Sequence, residues 1–287
     1  MNATASARHP SNPELTCAVE QGSLRLTAGV GNGTRPAVVT TMPKSGTYFV
    51  AEYLKCLGMV DTRVHADEGG FSDYRNVDRS AARTEYKSLY VRLPLSQTLG
   101  LLGPGHFLVG HLPLREATRD IFNGIAVIAV RREVRAALVS FMRWIELSGR
   151  ADEVDCAWLG VPPGSMRTAA FLRARGKSLV GYFSVSQTWL DEPRATQVAY
   201  EELVGDLGEF RAADVASAIA EAVGVPHTID QAFHWLSAAR GRDTLTSSGR
   251  RTVLGEHWSV ECEGIFESIG GGELNKRLGY TRPKPTA

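Results

Sequence analysis

The 287-residue sequence has almost no net charge: 32 Lys+Arg stand against 31 Asp+Glu, a balance of +1. It therefore lacks the basic excess of a polybasic nucleic-acid binder and the charge surplus of a disordered polyelectrolyte. Long apolar runs are missing too. None reaches the ~18–20 residues needed to span a bilayer, and the opening MNATASARHPSNPELTCAVEQG has no apolar signal core. These absences lead to the expectation of a cytoplasmic protein with no membrane span and no nucleic-acid partner. Cysteine is scarce. Cys17, Cys56, Cys156 and Cys262 are widely spaced, with no C-x-x-C, so they suggest reduced thiols rather than a disulfide framework or a zinc site. No H-E-x-x-H, D-x-D or clustered Cys/His motif occurs, and no metal is expected. What is plentiful is apolar side chain, 43% of the residues, enough for a sizeable core.

Residues 1–34 are rich in Ser, Thr, Asn, Gly and Ala, with a short apolar stretch around Leu24 and Leu26, and read as a flexible or loosely attached arm. Pattern begins at Pro36. The run Ala37–Thr41 is a buried strand and ends at the turn residues 42–47. Phe49, Val50, Tyr53, Leu54 and Leu57 then make one apolar helix face, with Gly58 placed to stop it. Residues 61–105 have weak periodicity and are expected to be loops and short helices over a pocket. Phe107–Gly110, Ile125–Val130 and Gln197–Tyr200 are further strand candidates. Helices are expected after Arg132, on Val134, Ala137, Leu138, Phe141, Met142 and Ile145, and over the Ala-rich 211–223. Alternating apolar strands and helices predict an α/β protein with a central parallel sheet flanked by helices, a single domain over 35–287 with helical and loop excursions.

The turn Pro43-Lys44-Ser45-Gly46-Thr47 lies between a strand and a helix. Such a turn can bind phosphate: loop and helix N–H groups face the anion, a glycine allows close approach, and Lys adds charge. The bland alternative is an ordinary turn with a capping hydroxyl. A Walker loop is absent, because its Lys follows the last Gly and Lys44 precedes Gly46. Gly176-Lys177-Ser178 contains G-K-S, but Phe171 replaces the earlier Gly and no strand precedes it, so it is a chance match.

Met42 to Phe49, read M-P-K-S-G-T-Y-F, resembles the P-K-S-G-T-T-W loop of the sulfotransferases, which use 3′-phosphoadenosine-5′-phosphosulfate (PAPS) as donor and release 3′-phosphoadenosine-5′-phosphate (PAP). The resemblance implies a P-loop-kinase-like fold and assigns the 5′ end of the nucleotide to Lys44, Ser45, Gly46, Thr47 and Tyr48. Lys44 would meet the bridging oxygen of the transferring group, and Phe49 would stack on adenine. Tyr48 stands where the family has a second Thr. Three further motifs follow in family order. A strand leads to Arg132 with Ser140 eight residues on, like the family's 3′-phosphate pair; Arg135 matches the R-x-x-R-D pattern and Ala136 departs from its Asp. Gly110-His111-Leu112-Pro113 resembles K-T-H-L-P, which makes His111 the general base, with Val109 where the family has Lys. Arg250, Arg251 and Thr252, ahead of Gly255 and Trp258, partly match R-K-G-x-x-G-D-W, which closes over the 3′-phosphate. Tyr200-Glu201-Glu202-Leu203 resembles Y-E-D-L beside the nucleotide. These motifs span residues 37–260.

The resemblance implies transfer of a sulfuryl group from PAPS to a hydroxyl of a small-molecule acceptor by in-line attack, with no metal. Two alternatives remain: an ATP-dependent P-loop-like kinase, and a non-catalytic nucleotide-binding module on the same fold. A homodimer is compatible with the sequence. Aromatics at 71, 74, 86, 90, 144, 158, 171, 182, 183 and 189 could shape an acceptor site or pack the core. Arg131, Arg132 and Arg135, with Arg240, Arg242, Arg250 and Arg251, read as local basic groups around Lys44.

Overall fold

A computed structural model describes residues 14–19, 22–27, 34–75, 89–148, 151–240, 242, 244 and 254–280. Its centre is a seven-stranded sheet in the order β6-β5-β4-β7-β3-β8-β9. The strands are β3 (Ala37–Thr41), β4 (Val60–Ala66), β5 (Gly70–Asp73), β6 (Leu89–Arg92), β7 (His106–Gly110), β8 (Ala126–Arg131) and β9 (Ala195–Ala199). The stretch β4-β7-β3-β8-β9 is parallel, and β5 and β6 extend it antiparallel. The sheet is thus parallel over five strands and mixed at one edge. Residues 61–105, expected as loops and short helices, carry a short helix at Leu95–Gly100 but also β5, β6 and all but the first residue of β4. Their reason is a period of two: Thr62, Val64 and Ala66 are buried while Asp61, Arg63 and His65 alternate with them. A separate hairpin, β1 (Glu14–Val19) and β2 (Gly22–Thr27), forms within the segment expected to be an arm and pairs with no strand of the main sheet.

The central strands β3 and β7 are buried along their whole length, because both faces are covered. On one face Ala37, Val39, Val109 and Ile128 meet α1 (Thr47–Cys56), and the long helices at Glu209–Val223 and Ile229–Arg240 complete that layer. On the other, Val38, Leu108 and Val127 meet Leu95 and Leu99 from α2 (Leu95–Gly100), with Phe122 and Trp189. A third cluster joins Met42 to α3 (Val134–Ser148) and to the helices at 165–183 and 260–277. Each buried Val, Leu or Phe in these layers contributes roughly 1.5–3 kcal/mol. The G-K-S at 176–178 lies inside the unbroken helical run 165–183, away from any strand-to-helix turn. Among the described residues no helix is long and apolar enough to cross a membrane.

Candidate active site

Parallel strands end on one side of a sheet, so the segments that follow them are brought together. Thr41 of β3 pairs with Val130, Thr40 with Gly110, and Arg131 of β8 with Ala199 of β9. The loop 42–46, His111, Arg132 and Tyr200 therefore emerge at the same edge.

The loop is held from below. Met42 N donates to Val130 O at 2.9 Å, and Ser45 N to Met42 O at 3.1 Å. The Ser45 hydroxyl is fully buried and donates to the Met42 and Val130 carbonyls. A buried hydroxyl needs such a partner, so Ser45 braces the loop, its hydroxyl on these carbonyls where the sequence motif offers it to a ligand. Lys44 and Gly46 adopt left-handed conformations, φ 67° and 93°. Gly46 has a second reason to be glycine: a Cβ there would lie 2.6 Å from the Tyr200 ring. Gly46→Ala is expected to destabilise the protein by about 1–3 kcal/mol, measured by denaturant unfolding, from left-handed strain plus displacement of Tyr200. An unchanged unfolding midpoint would show that the loop tolerates another path.

Helix α1 begins directly after Gly46 with no side-chain cap and no acidic residue in its first turn. Its free N–H groups and positive dipole end face the loop. Lys44 is partly buried, and burial first, with the Arg132 charge second, lowers its pKa to about 8. Its ammonium lies 5.6 Å from the centre of the Trp144 ring. Among the described residues no carboxylate pairs with it. Arg132 is buried, donates from one arm to Lys44 O at 2.8 Å, and stacks on Tyr200 at 4.2 Å. Tyr200 is the first residue of a helical turn, not the last of β9 as expected. Ser140 is half-buried on the second turn of α3. Phe49 and Tyr48 pack partly buried against the cluster under α1.

The expected basic groups shrink. Arg135 is buried between Glu133 and Glu263, 2.8 and 2.5 Å away, and lies over Phe266. Arg240 pairs with Glu209, and Arg242 reaches Glu52 at 3.7 Å. Ion pairing thus engages three of the expected site cations, Arg135, Arg240 and Arg242, while Arg132 lies beside Lys44 at the loop. The start of α3 is also served by the chain itself, since Asn275 accepts from Val134 N and Glu133 from Ala136 N. Arg250, Arg251 and Thr252 lie outside the described residues.

His111 has a defined orientation. Its Nδ1 is 2.8 Å from Thr41 O and 3.1 Å from Thr41 Oγ1. A carbonyl only accepts, so Nδ1 carries the proton and Nε2 presents a lone pair. The turn bearing it is anchored by Thr40 Oγ1 to Leu112 O, 2.9 Å, and by the Trp189 indole to the same carbonyl. The Thr47 hydroxyl joins this network through Thr41 Oγ1 at 2.6 Å. Burial lowers the His111 pKa to about 4, the Thr41 carbonyl opposing and the Lys44 charge adding to the effect. The imidazole is therefore neutral at pH 7 and able to accept a proton.

Of the aromatics considered for an acceptor site, Phe71, Trp158, Phe171, Phe183 and Trp189 are core. Trp144 reaches Lys44, Tyr182 lies edge-on to His111 at 5.9 Å, and Tyr74 borders His65 at 5.9 Å. Sequence reasoning missed His65. It sits on β4, 4.8 Å from His111 ring to ring, and its signal was the polar face of an alternating strand.

This sheet, with a Lys-bearing strand-to-helix loop and a His and an Arg at its carboxyl edge, has the fold of the PAPS-dependent sulfotransferases. Among solved structures the chain is similar to mouse sulfotransferase SULT7A1 complexed with PAP (TM-score 0.51, 12% identity, 85% of this chain and 88% of that one). It is similar also to retinol dehydratase in complex with androsterone and inactive cofactor PAP (0.51, 12%, 96% and 93%). No family model matches the chain, and no curated protein matches it in sequence.

Proposed function

We propose that the chain is a sulfotransferase that takes PAPS as donor and sulfates a hydroxyl of a small molecule. The observation that carries this reading is a partly buried Lys44 beside a buried Arg132, at an uncapped helix N-terminus, with no carboxylate among the described residues on Lys44. A desolvated Lys44 ammonium with another cation beside it is unfavourable unless an anion joins it. A compact phosphate-bearing ligand fits that requirement, and the sulfotransferase fold supports a 3′,5′-bisphosphate nucleotide.

The nucleotide supplies the sulfuryl group. In this reading Lys44 neutralises charge on the leaving phosphate. The N–H groups at the start of α1 hold the 5′ end. Arg132, fixed by Tyr200 and the Lys44 carbonyl, serves the nucleotide side, with Ser140 of α3 and the 250–252 segment as its proposed companions. His111 Nε2 takes the proton from the acceptor hydroxyl, and Thr41 holds the ring in the required tautomer. Tyr74, Trp144 and Tyr182 give the acceptor aromatic walls, which suits a small, largely apolar alcohol or phenol.

The first experiment is a thermal shift with PAP against ATP, followed by a screen of hydroxylated small molecules with PAPS read by a mass gain of one sulfate. PAP should stabilise the protein more than ATP. Stabilisation by ATP alone would favour a kinase, and PAP binding without transfer to any acceptor would favour a non-catalytic module. Arg132→Ala should weaken PAP binding by roughly 10–100-fold, the worth of a charged hydrogen-bonding partner, with a smaller effect on acceptor KM. Unchanged PAP affinity in calorimetry would remove Arg132 from the nucleotide site.

A further inference from the structure

His65 has no counterpart among the motifs that led to the site, yet the fold takes trouble to place it. In β4 the pairing with β7 slips between Asp61 and His65: Asp61 faces Phe107, but His65 faces Val109. The slip contains Arg63 at φ 54°, a left-handed conformation that a non-glycine residue adopts only at a cost. Arg63 N is caught by Asp61 Oδ1 at 2.7 Å, and Arg63 O by Tyr74 N at 2.9 Å. Bulges of this kind re-aim side chains near sites. Here the result is a partly buried His65 ring edge-on to His111, at 4.8 Å and 68°. Tyr48 meets it from the loop, its hydroxyl 3.2 Å from His65 Nδ1.

We propose that Tyr48 and His65 are a positioning pair for His111: the Tyr48 hydroxyl donates to His65 Nδ1, fixes His65 as its Nε2–H tautomer, and holds that ring as the wall against which His111 keeps its Nδ1–H on Thr41. The direction of the bond follows from chemistry, since a phenol is the stronger donor and an imidazole nitrogen the stronger acceptor. The substitution of Tyr for a compact hydroxyl residue then has a use. Tyr48 gives up a short hydroxyl beside the phosphate loop and spans from that loop to the base. Among the described groups Tyr74, beyond β5, faces His65, while Lys44 from the loop and Tyr182 from the helix Lys177–Phe183 face His111. None is a carboxylate, and burial together with the facing ring keeps His65 neutral.

The effect on turnover rests on the sulfotransferase reading, so the test has two arms. In the first, imidazole 15N–1H spectra of the whole protein are recorded without substrate. Wild type should show His65 protonated on Nε2, and His111 on Nδ1 with a slowly exchanging proton. Tyr48→Phe should mix the His65 tautomers, and His65→Phe should speed exchange of the His111 Nδ1 proton by about 10-fold, as expected when a local opening becomes easier. In the second, Tyr48→Phe should lower kcat by roughly 3–10-fold, the worth of one neutral hydrogen bond, with PAP affinity and acceptor KM unchanged. Tyr48→Phe added to His65→Phe should cost nothing more. Tyr90→Phe, on the neighbouring β6 with its hydroxyl on Asp67, is the control and should match wild type in both arms. A wild-type His65 that samples both tautomers, or a His111 proton indifferent to His65→Phe, overturns the pair. So does a Tyr48→Phe enzyme with wild-type kcat. If no sulfuryl transfer occurs at all, the spectra still decide the pair, and only the functional reading falls.

Discussion

Lys44→Met should lower sulfuryl transfer by about 100–1000-fold, the usual loss when a group that stabilises leaving-group charge is removed, and at the same time make the ligand-free protein more stable. The two effects share one cause. In the empty site the Lys44 pKa is held at about 8, below the ordinary 10.5, by burial first and by Arg132 second. The unfolded chain therefore binds more protons between pH 8 and 10.5, so stability rises with pH across that window, and the full penalty stands below pH 8. Methionine keeps the apolar stem and removes the charge. It also loses the contact with Trp144, worth about 0.5–1 kcal/mol, and it keeps the left-handed backbone. After discounting for partial exposure, the net gain is about 1 kcal/mol at pH 7, or about 2–4 °C in Tm for a chain of this size. Adding PAP should reverse the order: wild type gains stability by mass action, and the variant gains much less. Scanning calorimetry at pH 7 with and without PAP measures both. A variant that melts lower than wild type when empty, yet responds to PAP as strongly, would mean that Lys44 is a structural residue. The same linkage predicts that wild-type stability gains on that of the Lys44→Met variant as pH rises above 8.

The strands that end at the loop 42–46, at His111 and at Arg132 were legible in the sequence because they are short, largely apolar runs flanked by turn residues, a local pattern; the roles of those residues came from the family resemblance. β4 escaped for the opposite reason. Its apolar residues Thr62, Val64 and Ala66 alternate with Asp61, Arg63 and His65, so its mean composition resembles a loop, and only a period of two reveals it. The bulge at Arg63 then breaks even that regularity. Charge placement was less legible still. Arg135 reads as part of a basic helix start until Glu263, 128 positions away, is brought against it. Arg242 likewise waits for Glu52. Sequence proximity groups charges, but only the fold pairs them. The near-zero net charge consequently has a more specific meaning: Arg135, Arg240 and Arg242 are matched by carboxylates, and among the described residues none pairs with Lys44. Ser45 carries a related lesson. The motif offers its hydroxyl to a ligand, whereas the fold directs it to Met42 and Val130, because a fully buried donor binds the nearest carbonyls.

His111→Gln should abolish at least ~100-fold of turnover, the lower range for loss of a general base, because glutamine can hold a hydrogen bond near the Nε2 position but cannot take the proton. The pH dependence makes this test specific. Without nucleotide, burial and the Lys44 charge depress the His111 pKa to about 4, so kcat/KM for PAPS should hold level down to about pH 5 and fall below it. Once the nucleotide is bound, its anionic groups neutralise Lys44 and favour the imidazolium, which raises the pKa above its ligand-free position while burial still holds it below the ordinary value. The acidic limb of kcat/KM for the acceptor, measured at saturating PAPS, should therefore lie above the limb for PAPS itself. The anion that delivers the sulfuryl group thus strengthens the base that must accept the proton. Stability follows the same group. A histidine whose folded pKa is lower than its unfolded value binds fewer protons when folded, so wild type loses stability as pH falls from 6.5 to about 4. The loss is about 2–3 kcal/mol after allowance for partial exposure. His111→Gln should make that part of the curve shallower, the buried His65 and His106 keeping their own share, while the protein stays folded. Limbs that coincide, or a limb for the acceptor below that for PAPS, would remove the coupling between nucleotide and base. A His111→Gln enzyme with near-wild-type turnover would remove His111 from the chemistry.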